Sequence, residues 1–167
     1  MLKSWTRLIS KNIETFTPEK AYQYALRLLT GRDHTVAKIR QKLALRNVAE
    51  LDIDELIYRL QCEGWLDDRR FAGRFAESAL SSGRYYGVRL RLEMRRKGFT
   101  ADIVNETVSP LLTESDEFSE VWSAVERHSP GFSYSAASDR DKRRMVGFLQ
   151  RRGFGISAIM RALRTEE

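Results

Sequence analysis

Two runs of arginine and lysine hold the side chains best suited to a binding chemistry in this 167-residue chain. Between residues 84 and 97 stand Arg84, Arg89, Arg91, Arg95, Arg96 and Lys97 against Glu93 alone, a local charge of +5. Between residues 140 and 152 stand Arg140, Lys142, Arg143, Arg144, Arg151 and Arg152 against Asp141, again +5. A guanidinium is a fixed fork of donors that fits a phosphate or a carboxylate, so both runs are candidate contacts for a nucleic-acid backbone or an acidic protein groove. A solvated helix face is the plainer reading of any single cation, and the pairing of two such runs favours a contact role. Tyr85 and Tyr86, behind Arg84, either stack on bases or a partner, or close a turn between helices.

Residues for covalent chemistry do not assemble into a pattern. A GxxxxGK phosphate loop is absent, and Gly153-Phe154-Gly155 lacks the third glycine and the preceding strand of a dinucleotide site, so no nucleotide cofactor is expected. His34 and His128 each lack a second histidine or cysteine at ligand spacing, and a single cysteine cannot build a zinc site. His34 is expected beside a helix start and solvated. Asp67 with Asp68, and Glu166 with Glu167, fit capping or a solvated tail, and none pairs with a nucleophile and base in a recognisable order. The chain is expected to be a binding protein and not an enzyme.

The net charge of +6 and a pI near 9.7 agree with an acidic partner, but the distribution is more informative. Residues 98 to 120 contain no cation, and Asp102, Glu106, Glu114, Asp116, Glu117 and Glu120 give them a charge of −6. An apolar fraction of 42% is enough for a core. Cys62, the single cysteine, fits a reducing compartment, and its place beside Leu60 and before Gly64 suggests a buried thiol. Residues 1–16 carry Leu2, Trp5, Ile9, Ile13 and Phe16 interrupted by Lys3, Arg7, Lys11 and Glu14, which reads as an amphipathic helical extension and not as a signal peptide. No stretch reaches the length of a membrane span, and a cytoplasmic protein is expected.

The elements that must position the cations are helices. Thr17-Pro18-Glu19 opens one: a threonine cap, a proline where its missing amide costs nothing, and an acid near the positive pole. Ala21, Ala25 and Leu28 line its face and Gly31 ends it. Asp33 or Thr35 caps a second through Val36, Ile39 and Leu43, and Asp52 or Asp54 opens a third through Leu56, Ile57 and Leu60 to Gly64. Gly64 can close a helix in the left-handed region, Asp67 or Asp68 can cap the next, and Phe71 and Phe75 then share a face. Ser81-Ser82-Gly83 closes that helix.

From Val88 to Arg95 apolar and charged residues alternate, the period of a half-buried strand. Internal repetition decides for a helix. Setting Gly98 on Asn47, a shift of 51, places Leu90 on Ile39, Met94 on Leu43 and Phe99 on Val48. Setting it on Gly153, a shift of 55, places the same three on Met145, Leu149 and Phe154. Tyr85 to Lys97 is therefore expected to be helical, with Leu90 and Met94 inward and Leu92 partly exposed. Thr100 caps the next helix, carrying Ile103, Val104 and Val108 and stopping near Pro110. Phe118, Val121, Trp122 and Val125 share another; residues 131–138 form a loop; Ser138 or Asp139 caps a helix through Met145, Phe148 and Leu149; Ile156, Ile159, Met160 and Leu163 mark the last. The expected class is all-α: tandem three-helix, helix-turn-helix-like units at residues 17–64, 65–112 and 113–167, stacked into an elongated, curved molecule.

The order Gly64-Trp65-Leu66-Asp67-Asp68 followed by Phe71-Ala72 and Phe75 resembles the signature of the RecX family, regulators of bacterial RecA-type recombinases. Arg96-Lys97-Gly98-Phe99, and Phe148-Leu149 before Arg151-Arg152-Gly153-Phe154, resemble the ends of that family's repeats. The likeness runs from about residue 17 to residue 163. Where the family usually shows glycine at or just before the position of Tyr86, this chain supplies Gly87 instead. An elongated monomer is expected, because no long a/d seam for a coiled coil appears and the surface is strongly charged. The resemblance implies a protein of DNA recombination, repair and the SOS response. It would lodge along the filament a RecA-type recombinase forms on single-stranded DNA and hinder ATP hydrolysis, strand exchange or filament growth, with weak direct DNA binding as an open second contact. The bound ATP would be the partner's. Two rivals remain: a sequence-blind DNA-binding module acting alone, and an adaptor that touches only protein.

Overall fold

The computed structural model describes residues 16–165; the amphipathic extension expected over residues 1–16 lies, apart from Phe16, outside them. Nine helices and no strand occur among the described residues. They are α1 (Pro18–Gly31), α2 (Val36–Ala44), α3 (Glu50–Cys62), α4 (Asp68–Ser81), α5 (Gly87–Lys97), α6 (Ala101–Glu114), α7 (Glu117–His128), α8 (Asp139–Arg152) and α9 (Ile156–Arg164). They group into two compact units divided between Asp67 and Asp68.

In the first unit, α1 starts as the sequence indicates: the Thr17 hydroxyl accepts from the Lys20 amide at 3.4 Å, with Pro18 at the first helical position. Of the two candidate caps of α2, Thr35 is the one used, accepting from the Lys38 amide at 3.3 Å. Ala21 and Ala25 of α1, Ile39 and Leu43 of α2, and Ile53, Leu56, Ile57 and Leu60 of α3 close one core.

Three local expectations for this unit differ from the structure. α3 opens at Glu50 after Ala49, which makes no side-chain cap bond, and not at Asp52 or Asp54; Glu50 and Asp52 supply first-turn acids at the positive pole instead. Cys62 is exposed and not buried. Two residues past the inward Leu60 it has rotated about 200° round the helix, onto the outer face. His34 is buried and not solvated, because it sits in the short turn before Thr35, which is itself sealed from solvent.

The second unit carries two cores. Ala72, Ala76 and Ala79 of α4, Leu90 and Met94 of α5, Phe99, and Val104 and Val108 of α6 form one. Phe71 and Phe75 pack on its edge, with the Phe71 ring 5.1 Å from that of Phe99. Val121, Ala124 and Val125 of α7, Met145 and Leu149 of α8, Phe154, and Ile159, Ala162 and Leu163 of α9 form the other, joined by Tyr86. α6 does not stop near Pro110 but continues through it to Glu114. Running on carries Leu112 to a position packed against both cores, which offsets the hydrogen bond that the proline forgoes.

The internal repeat is visible in the backbone. Asn47, Gly98 and Gly153 all adopt positive φ, at 57°, 99° and 106°. In each case the next residue turns back into the core and donates its amide to a carbonyl five residues earlier: Val48 to Leu43, Phe99 to Met94 and Phe154 to Leu149, each at 3.3 Å. Leu90 and Met94 are fully sealed and Leu92 is outward, so the apparent strand alternation is that of a short amphipathic helix.

Candidate functional site

Both cationic helices belong to the second unit, where they meet end to end. The carbonyl of Arg152, the last residue of α8, accepts the amide of Tyr86, the residue before α5, at 2.8 Å. The negative pole of one helix thus abuts the positive pole of the next, an arrangement the macrodipoles favour. Gly153 makes the approach possible: a Cβ there would lie 2.2 Å from the Tyr86 carbonyl oxygen and 2.6 Å from the Arg89 Cβ. The Tyr86 ring stacks on Phe154, its hydroxyl pairs with that of Ser115 at 3.1 Å, and burial holds its phenol above the usual value of 10.0. Of the alternatives open for Tyr86, the turn-closing one holds, and its ring is not offered to bases.

The twelve candidate cations divide by what they touch. On α5, Arg91 donates to Asn105 Oδ1 at 2.8 Å and Ser109 Oγ at 3.0 Å, both on α6. Arg95 donates to the Phe99 carbonyl at 2.8 Å. Arg89 and Arg96 share Glu93 Oε1 at 2.7 and 3.1 Å. Lys97 lies over the Phe75 ring with Nζ 4.8 Å from its centroid, and Arg84 donates to Ser82 Oγ at 3.2 Å. On α8, Arg152 turns inward: Nη1 donates to the Gly83 carbonyl at 2.7 Å, and the guanidinium covers Phe148. Lys142 covers the Tyr134 ring, and Arg144 reaches Asp141 only at 4.0 Å.

Arg140, Arg143 and Arg151 remain exposed, with no hydrogen bond or ion pair among the described residues. With Arg144 and Gly147 they form a stripe on the side of α8 opposite Met145 and Leu149. Arg140 and Lys142 sit in the first turn, where the macrodipole disfavours cations, so helix stability does not account for them. The arginines of the stripe are open to solvent, suited to tracking a line of phosphates or carboxylates.

Two features escaped the sequence. Arg127 of α7 donates to the Ser81 carbonyl at 3.2 Å, and with Arg152 it secures the end of α4. Its only signal was a cation in a last turn. Val88 faces outward on α5, where helical rotation from Leu90 places it. No His, Cys, Asp and Glu cluster fit for a metal occurs among the described residues, and no described helix is long and apolar enough to cross a membrane.

Fold and site together define an all-helical protein of repeated three-helix units bearing an end-to-end pair of cationic helices. Residues 21–60 match the family model described as RecX, first three-helix domain. The chain is 39% identical to the regulatory protein RecX of Trichlorobacter lovleyi over 85% of its own length and 92% of that protein's. It is 30% identical to the regulatory protein RecX of Syntrophotalea carbinolica, covering 83% of this chain and 91% of the other. The chain therefore belongs to the RecX family of regulatory proteins. Its fold matches the crystal structure of RecX from Lactobacillus salivarius with a TM-score of 0.67 at 21% identity, over 89% of this chain and 97% of that one.

Proposed function

We propose that this protein binds the filament formed by a RecA-type recombinase on single-stranded DNA and restrains its ATP hydrolysis, strand exchange and growth. It acts in the cytoplasm as a monomer, without catalysing a reaction. Its repeats are the three-helix units 17–64, 65–112 and 113–167, and the partner-facing residues are Arg84 before α5, the five cations of α5 and the six of α8, with Arg152 offering only the donors that its bond to Gly83 leaves. The observation that carries this reading is the end-to-end junction of the two cationic helices at Tyr86 and Arg152. Two cationic helices joined in succession suit a repeating filament surface. Those cations that also brace the fold present their remaining donors from fixed positions.

The test is ATP hydrolysis by the cognate recombinase on single-stranded DNA while this protein is titrated in, with binding to bare DNA measured in parallel. Inhibition well below one copy per recombinase protomer, with weak affinity for bare DNA, supports the reading. The exposed α8 stripe favours one alternative, a sequence-blind DNA-binding module. Tight, salt-sensitive DNA binding with no effect on hydrolysis would establish that instead.

A further inference from the structure

The outward sides of the two sister helices differ in chemistry. On α8 the side opposite the core carries Arg140, Arg144, Gly147 and Arg151. On α5 it carries Val88 and Leu92, one turn apart and 78% and 42% exposed. Arg91 and Arg95 flank this aliphatic pair on one side, Arg89 and Arg96 on the other.

The rim is organised before any partner arrives. Arg91 is tied to Asn105 and Ser109, Arg95 to the Phe99 carbonyl, and Arg89 and Arg96 to Glu93, so each fork is oriented while further donors remain. Binding then costs less side-chain entropy. An aliphatic centre inside a ring of oriented arginines has the layout of a protein–protein contact, with an apolar anchor site and a polar border that excludes water. It suits nucleic acid poorly. A sugar–phosphate backbone offers no aliphatic counterpart, and unstacked bases prefer aromatic platforms.

We propose that the Val88–Leu92 face of α5 is the seat for the protein component of the filament, a segment presenting aliphatic side chains bordered by carboxylates, while the α8 stripe serves the anionic strand. This rests on the filament-binding reading above and assigns its protein contact to one face. The four arginines supply the charge that calls for carboxylates, and the exposed valine and leucine supply the surface that calls for aliphatic groups.

The experiment uses the full chain with V88S/L92S, V88S alone and R140E/R143E/R151E. Each is assayed for recombinase inhibition, for affinity to the assembled filament and for affinity to a bare single-stranded oligonucleotide. V88S is the safeguard should the double variant fail to fold, since Val88 is the more exposed residue. V88S/L92S is expected to weaken filament binding by roughly tenfold or more, as removal of an interface anchor does, with oligonucleotide affinity unchanged. The arginine variant is expected to lose oligonucleotide binding. Wild-type-like inhibition by the serine variants, or equal weakening of filament and oligonucleotide binding, overturns the assignment. Absence of inhibition by the wild-type protein instead overturns the filament reading, and the assignment with it.

Discussion

The ring of Tyr86 lies on that of Phe154 with centroids 4.7 Å apart and planes 17° from parallel, binding the start of α5 to the turn after α8. Tyr86→Ala is expected to destabilise the second unit by about 3 kcal/mol or more, as truncation of a buried aromatic does. Tyr86→Phe removes only the hydroxyl pairing with Ser115 and should cost about 1 kcal/mol. Thermal unfolding of the two variants checks both. Equal destabilisation would show that the hydroxyl, and not the ring, holds the joint.

The left-handed glycines are not equivalent. Gly64, at φ 75°, has open space where a Cβ would go, so Gly64→Ala should cost only the backbone term, about 1 kcal/mol. Gly153 faces the Tyr86 carbonyl, and Gly153→Ala should cost more than about 2 kcal/mol because backbone would have to move. Asn47 holds the corresponding position in the first unit at φ 57°, and Asn47→Gly should stabilise by roughly a few tenths of a kcal/mol. Chemical denaturation of the three variants reads out the ranking.

Two arginines of α8 should respond oppositely to substitution. Arg152→Ala removes the bond to Gly83 and the cover over Phe148, and should lower stability by about 1–3 kcal/mol. Arg140→Ala leaves stability within about 0.5 kcal/mol, because the side chain is exposed and unpaired among the described residues. It should instead reduce the slope of log affinity against log salt for single-stranded DNA by about 0.7, the increment that one neutralised phosphate contributes on a single strand. Salt titrations with the two variants separate brace from contact.

Acid stability of the first unit should depend on Glu63. Its carboxylate accepts from the Tyr22 hydroxyl and from Arg59 Nε, which hold it below the usual carboxyl value of 4.5. A depressed folded-state pKa contributes stability above that range and loses it as pH falls through the folded value. The Tyr22 phenol, raised above 10.0 first by the same hydrogen bond and then by burial, contributes below pH 10 and loses its contribution above it. Glu63→Gln should therefore flatten both limbs. Hydrogen exchange of the α1 and α3 amides, compared at neutral pH and in acid, checks the acid limb; an unaltered dependence would remove Glu63 from the account.

Helix positions, inward residues and the repeat were legible because helical spacing, threonine and serine caps and glycine stops are local effects. Ile39, Leu90 and Met145 align in sequence and are all buried, and Thr17, Thr35, Thr100 and Ser138 all cap. The errors arose where one residue's surroundings outweighed its neighbours in sequence. Pro110 stays within a helix because Leu112 must reach two cores, and His34 is buried with Thr35 in the turn before α2.

Sequence by itself determined which residues are cationic, that they fall on two sister helices, and which family they resemble. Tertiary structure decided what each cation is for. Arg152 and Arg140 are alike in a sequence; one points at the Gly83 carbonyl and the other into solvent, because the junction at Gly153 carries α8 against the start of α5. Charge is a property of a residue type, whereas its availability depends on the groups that the fold brings within hydrogen-bonding reach.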